Sequence, residues 1–219
     1  MKCDNVGTNN YTFETAENFE VKLFCLLVID VSPLAGEDIV SRLDKGLKVF
    51  QQTIIDDQCA SSRIELGVMA FDGTIAMLQE PSLVENINMP TLSELNTSSA
   101  LIKAANIAID KVDTRKTWYK ETGQTFYRPW IILLTHSDIN IGQDFILLAN
   151  RIKKDTTAKK YHFLPISLVD SNMARLEFLS GFSDNAIQWK ISEIEALFQV
   201  EIPRQLFHEW WDPEMDIAL

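Results

Sequence analysis

The chain has 219 residues, 46% of them apolar, and a net charge of −11. That length gives one large domain or two small ones, long enough to bury a sizeable core. The acidic balance argues against a nucleic-acid or anionic-membrane surface, which needs clustered Lys and Arg. Cys3, Cys25 and Cys59 form no CxxC pair, so neither a disulfide framework nor a structural zinc is expected. The first twenty residues contain no apolar core of a secretory signal, and no apolar run approaches 18 residues. The expectation is therefore a cytoplasmic protein without a membrane partner.

Residues 1–20 are polar and lack periodicity, and read as a tail. Leu23–Val31 is a continuous apolar run of strand length. Over Glu37–Ile55, apolar Ile39, Leu43, Leu47, Phe50 and Ile54 recur at three- and four-residue spacing, one face of a helix. Arg63–Phe71 is a strand, and Phe71-Asp72-Gly73-Thr74 has the turn chemistry of a hairpin leading into "TIAML". Residues 80–98, rich in Pro, Asn and Ser, read as a connection. A helix follows over "SALIKAANIAIDKV" towards Lys120, then the strand "WIILLT", Trp130–Thr135, and an amphipathic helix over Asp144–Lys153. The strand "YHFLPISLV", a short helix over Ala174–Leu179, a short strand "AIQWK" and a helix over Ile194–Phe207 complete a domain of residues 21–208. Residues 209–219 form an acidic tail with Trp210 and Trp211.

Strands that alternate with helices and are apolar on both faces predict an α/β fold with a doubly wound, mainly parallel sheet. The hairpin strand should be its antiparallel edge. In such sheets ligands collect at carboxyl ends of strands beside a topological switch point. Asp30 and Ser32 end the first strand, and His136, Ser137 and Asp138 end "WIILLT", so these two strands should be neighbours there.

Several residues have a plain reading beside a functional one. Asp30 could cap its own loop. His136 could be a catalytic base, although no GxSxG motif accompanies it. Trp118, Tyr119, Phe126, Tyr127 and Trp130 could stack on bases, which the acidic balance opposes. Arg151, Lys153, Lys154, Lys159 and Lys160 read as a solvated helix end. His162 and His208 form no ligand spacing and read as structural.

"VIDVSPLAG" followed by "IVSRLDKGL" resembles the opening of a von Willebrand factor A (vWA) domain. "DTRKTWYKETGQTFYRPWIILLTHSD" resembles the tellurium-resistance-associated, TerY-type bacterial vWA proteins. The matching positions are Arg115-Lys116, Tyr119-Lys120, Gly123, Tyr127-Arg128-Pro129-Trp130 and Thr135-His136-Ser137, and the likeness runs from about residue 22 to 170. The resemblance implies a metal-ion-dependent adhesion site built as Asp-x-Ser-x-Ser, a Thr in the middle loop, and the Asp of Thr-Asp-Gly. Asp30 and Ser32 match it. Leu34 stands where the second Ser belongs, Ser99 (or Thr97, with a slip) at the Thr, and His136 at the last Asp, with Asp138 two residues on.

The implied function is protein–protein interaction through a vestigial, metal-free site. Asp30, Ser32, Leu34, Ser99, His136 and Asp138 form the partner-binding face, with no cofactor and no catalytic residue. A protonated His136 would supply positive charge in place of the ion. The implied partner is another protein, of the kinase- or phosphatase-like kind found beside TerY-type proteins in bacterial stress-response and defence loci. The alternatives are an Mg-dependent domain that binds the ion through Asp30, Ser32, Ser99 and Asp138, and a hydrolase using His136.

Overall fold

The computed structural model describes residues 20–33, 38–93, 100–169, 173–181 and 185–208. Both expected tails, apart from Glu20, lie outside these residues, as do Leu34, Thr97 and Ser99. The chain runs β1 (Leu23–Asp30), α1 (Ile39–Asp56), α2 (Gln58–Ser61), β2 (Ile64–Phe71), β3 (Ile75–Leu83), α3 (Leu101–Thr122), β4 (Trp130–Thr135), α4 (Gln143–Thr157), β5 (His162–Ser167), α5 (Met173–Ser180) and β6 (Ile187–Gln188). It ends in α6 (Ile194–Ala196), a π-helical turn (Leu197–Glu201) and α7 (Ile202–His208).

The six strands lie in the order β3-β2-β1-β4-β5-β6. Only β2 and β3 pair antiparallel; β1 pairs in parallel with both β2 and β4. The chain leaves β1 to one side for β2 and β3, then returns to its other side for β4. That puts the switch point between β1 and β4, as the strand-end residues suggested.

All eight residues of β1 are buried, and its period-2 alternation divides the core. Leu23, Cys25, Leu27 and Ile29 pack in one cluster with α1, α6 and α7. Phe24, Leu26 and Val28 pack in the other with α3, α4 and α5. A continuous apolar run therefore reads as a strand covered by helices on both faces.

Two elements depart from the expected boundaries. Residues 80–98 are not a connection throughout: β3 continues to Leu83, and Val84–Asn86 form a 3-10 turn. The strand survives Pro81 because the pairing register shifts between Leu66 and Val68, and proline is tolerated at such a bulge on an edge strand. The last helix is interrupted by the π-helical turn. There the Phe198 ring occupies the space that a side chain at Gly46 would need, and it lies edge-on to Phe50. The basic run is also more than a solvated end. Arg151 donates to Asn106 at 2.8 Å and to Asp110 at 2.6 Å, tying α4 to α3, and Lys160 pairs with Asp155 at 2.7 Å.

At the end of the sheet away from the strand carboxyl ends, Arg115 donates to buried Glu65 at 2.8 Å. The Tyr119 hydroxyl donates to the same carboxylate oxygen. Tyr119 stacks on Phe126 at 4.8 Å, and the Arg115 guanidinium lies 3.9 Å over Trp118. Trp130 stacks on His162 at 4.5 Å. These aromatics pack around helix, loop and strand.

Burial first, then the adjacent Glu65 carboxylate, pushes the Tyr119 hydroxyl well above its ordinary pKa. Burial and then Asp155 raise Tyr161, and burial alone raises the Cys25 thiol. The unfolded chain releases these protons near their ordinary values of about 8.5–10, whereas the native state keeps them. Stability from these groups is thus complete below that range and falls as pH rises through it. Urea unfolding midpoints should hold from about pH 7 to 8 and drop above about pH 9. Tyr119→Phe should start lower but fall less steeply, and an unchanged wild-type midpoint up to about pH 10.5 would contradict this account.

Candidate functional site

The parallel register that aligns Ile29 with Leu134 sets Asp30 beside Thr135, each the last residue of its strand. Both are buried, Asp30 to 1% exposure. The Thr135 hydroxyl donates to Asp30 Oδ2 at 2.8 Å. Asp30 Oδ1 accepts the Ser32 N–H at 3.1 Å and also the Ser32 hydroxyl. The plain reading of Asp30 as a loop cap is therefore met, since an Asp side chain that bonds two residues onward closes a turn.

The hydroxyls continue outward from there. Ser32 Oγ lies 2.8 Å from Ser137 Oγ. Because Ser32 gives its proton to the carboxylate, Ser137 is the donor in that pair. The Ser137 N–H in turn donates to Thr135 Oγ1 at 3.2 Å. Thr135 and Ser137 are thus as central as Asp30 and Ser32, although neither was among the expected site residues. Their signal was present in the sequence as hydroxyls flanking His136 at a strand end.

His136 belongs to the cluster but not in the expected way. Its Nε2 lies 2.7 Å from the Ser32 main-chain carbonyl. A carbonyl only accepts, so Nε2 carries the proton. Nδ1 is buried with no hydrogen-bond partner. The ring faces an amide oxygen instead of a carboxylate. The ring-nitrogen-to-hydroxyl pairing of a Ser–His nucleophile is not the contact made.

Asp138 does not join the cluster. Its side chain is 84% exposed and pairs loosely with Arg175 of α5, at 3.9 Å. It lines a groove between the start of α3 and the first turns of α4. At the neighbouring strand end, Asp72 accepts the Thr74 N–H at 2.6 Å, and its carbonyl takes the Ala100 N–H. That bond brings the start of α3 to the same end of the sheet.

No protein-family model matches the sequence, and no curated protein matches it. Solved structures do. The ArnB paralog VWA2 from Sulfolobus acidocaldarius superposes with a TM-score of 0.56 at 14% identity, over 83% of this chain and 45% of that one. The fold is that of a vWA domain. Proximal thread matrix protein 1 of the mussel byssus gives 0.55 at 11% identity, over 84% of this chain and 48% of its own. The pilus adhesin SpaC from Lactobacillus rhamnosus GG gives 0.64 at 9% identity, over 89% of this chain and 31% of its own. The chain spans less than half the length of each of these three. The likeness carries the fold, in which the Asp30 cluster lies at the carboxyl ends of β1 and β4.

Removing the carboxylate would strand several buried donors, each costing about 1–3 kcal/mol. Asp30→Ala should therefore lower urea-unfolding stability by about 3 kcal/mol. Asp138→Ala, on an exposed side chain, should stay within about 0.5 kcal/mol of wild type. Comparable losses in the two variants would place Asp138 inside the cluster after all.

Proposed function

We propose that this chain is a non-enzymatic protein–protein interaction module, of the TerY-like vWA kind, whose former adhesion site binds a partner without a metal ion. The observation that carries this reading is the closure of the Asp30 cluster on itself. Both carboxylate oxygens accept hydrogen bonds from Ser32 and Thr135, and the Ser32 hydroxyl is shared with Asp30 and Ser137.

Mg²⁺ demands near-octahedral oxygen coordination at about 2.0–2.1 Å. The described residues fit it poorly. Asp30 is the carboxylate that the Ser32 and Thr135 hydroxyls reach, Asp138 turns out towards Arg175, and His136 offers a nitrogen where Mg²⁺ prefers oxygen. The Mg-dependent alternative, which needs Asp138 beside Asp30 and Ser32, draws no support from this arrangement. Leu34 and Ser99, the other two residues of the face, lie outside the described residues.

In this reading the partner is a protein that docks on the Asp30, Ser32 and His136 end of the sheet, with Leu34 at the centre of the contact. A pendant acidic side chain, the usual ligand of a metal-loaded site, would meet Asp30 with no cation between them. The partner presents Lys, Arg or an apolar anchor instead. By resemblance it is a kinase- or phosphatase-like protein of a bacterial stress-response or defence system, met in the cytoplasm. No helix among the described residues is long and apolar enough to cross a membrane.

A ligand that binds only the native state raises stability by about 2.7 kcal/mol at a hundredfold excess over Kd. Melting curves with and without millimolar Mg²⁺ should therefore coincide. A rise of several degrees that EDTA reverses would restore the metal-dependent reading.

Partner capture from the source cells tests the face itself. Losing an anchor at a desolvated interface centre costs about 2 kcal/mol or more, so Leu34→Asp should abolish capture and leave the melting curve in place. Undiminished capture by Leu34→Asp, with loss on truncation after Phe207, would move the interface to the C-terminal tail.

A further inference from the structure

Among the described residues, most of the exposed large apolar side chains gather in one region. Of the seven large hydrophobic side chains exposed among the described residues, four are Ile141, Ile146, Leu147 and Phe178. They lie on α4, on the loop that enters it and on α5. Such a concentration on one face marks an interaction surface more than scattered exposed side chains do.

The shape of this face is particular. A groove of about 720 Å³ separates the start of α3 from α4, with Leu101, Ile139 and Leu148 buried in its lining and Leu147, 59% exposed, on its α4 side. A second groove of about 390 Å³ lies between α4 and α5, lined in part by Ala149, Lys153 and Phe178. Helix α4 is thus an apolar ridge flanked by two grooves. Ridge and groove on one face are what a two-fold interface needs, because the same patch must serve as both knob and hole.

The charges match that requirement. The first groove carries Lys103 and Arg151 against Asp138 and Asp144, two of each sign, on a chain of net charge −11. The patch is locally neutral, so a second copy meets no net repulsion there. Arg151 is already held by Asn106 and Asp110, and Asp138 faces Arg175. Lys103 on the α3 wall and Asp144 on the α4 wall have no ion-pair partner among the described residues. A two-fold axis over the groove would carry Lys103 of one copy to Asp144 of the other, twice.

We propose that the α3–α4 groove and the α4 ridge form a self-complementary surface through which two copies of this chain associate. Leu147 of one protomer enters the groove of its partner, and Lys103 pairs with Asp144 across the interface. The groove lining includes Asp138 but none of Asp30, Ser32 and His136, and the proposal does not rest on the function assigned to the Asp30 face.

Sedimentation equilibrium of the full chain between about 1 and 200 µM tests it. The wild type should show a reversible monomer–dimer equilibrium with a Kd of about 10 µM. Leu147→Glu should weaken it about a hundredfold, and Lys103→Glu or Asp144→Lys alone about tenfold. The double variant Lys103→Glu/Asp144→Lys should return to near wild-type affinity, since the pair is reversed in both copies. Asp144→Lys also removes a favourable charge from the first turn of α4, so recovery in the double variant carries the assignment. Melting curves for each variant confirm that the monomer is folded. A wild type that stays monomeric at about 200 µM overturns the proposal. So does a dimer indifferent to Leu147→Glu, or a double variant no tighter than the singles.

Discussion

A single carboxylate holds the carboxyl end of this sheet together. Asp30 ends β1, and the hydroxyl it accepts from Thr135 comes from a residue 105 positions later in the chain. Between those two points the chain builds the β2–β3 hairpin and the whole of α3. The bond therefore joins the two halves of the doubly wound fold at the place where they diverge. Oriented hydroxyl and amide dipoles converge on the carboxylate. His136 adds a second tie, from the β4 exit to the main chain of the β1 exit. Outward from Asp30, the Ser32 and Ser137 hydroxyls follow in a short chain.

The opposite end of the sheet is held by charge as well, but differently. Glu65 of β2 and Arg115 of α3 form an ion pair with both side chains more than nine-tenths buried, completed by the Tyr119 hydroxyl. Breaking such a pair from one side costs about 3–5 kcal/mol, although the pair itself contributes little net stability. Its value lies in direction. It sets the orientation of α3 across β2 and β1, and the Arg151 contacts to Asn106 and Asp110 then align α4 beside it. The groove between α3 and α4 follows from these two polar ties. Apolar packing alone would tolerate a range of helix rotations.

Much of this was legible from residue order. Buried strands such as "LFCLLVID" and "WIILLT" announce themselves by length and by lack of polar interruption, and their alternation with helices gives the sheet its class. The switch point followed from where the polar strand ends lay. Asp30 and His136 stood out because they end abrupt apolar runs. Thr135 and Ser137 show in the sequence only as hydroxyls flanking His136, and it takes the register between β1 and β4 to bring them to a carboxylate. Spacing put Asp138 near the site but could not say which way its side chain turns, and it turns outward. Pro81 suggested an end to β3. The bulge opposite it depends on a partner strand that local sequence does not reveal. Arg151 looked like one more solvated cation because its acceptors lie 41 and 45 positions away.

The irregular course of β3 bears on how the protein behaves when crowded. An unprotected sheet edge is a template on which a foreign strand can add and seed aggregates. Here one edge strand contains Pro81, which offers no amide proton, beside Glu80, whose carboxylate is held by Lys111 at 3.0 Å. The strand at the other edge, β6, is only two residues long. Neither border offers a long, flat ladder to a newcomer. Among the described residues, strand addition is thus blunted on both sides of the sheet.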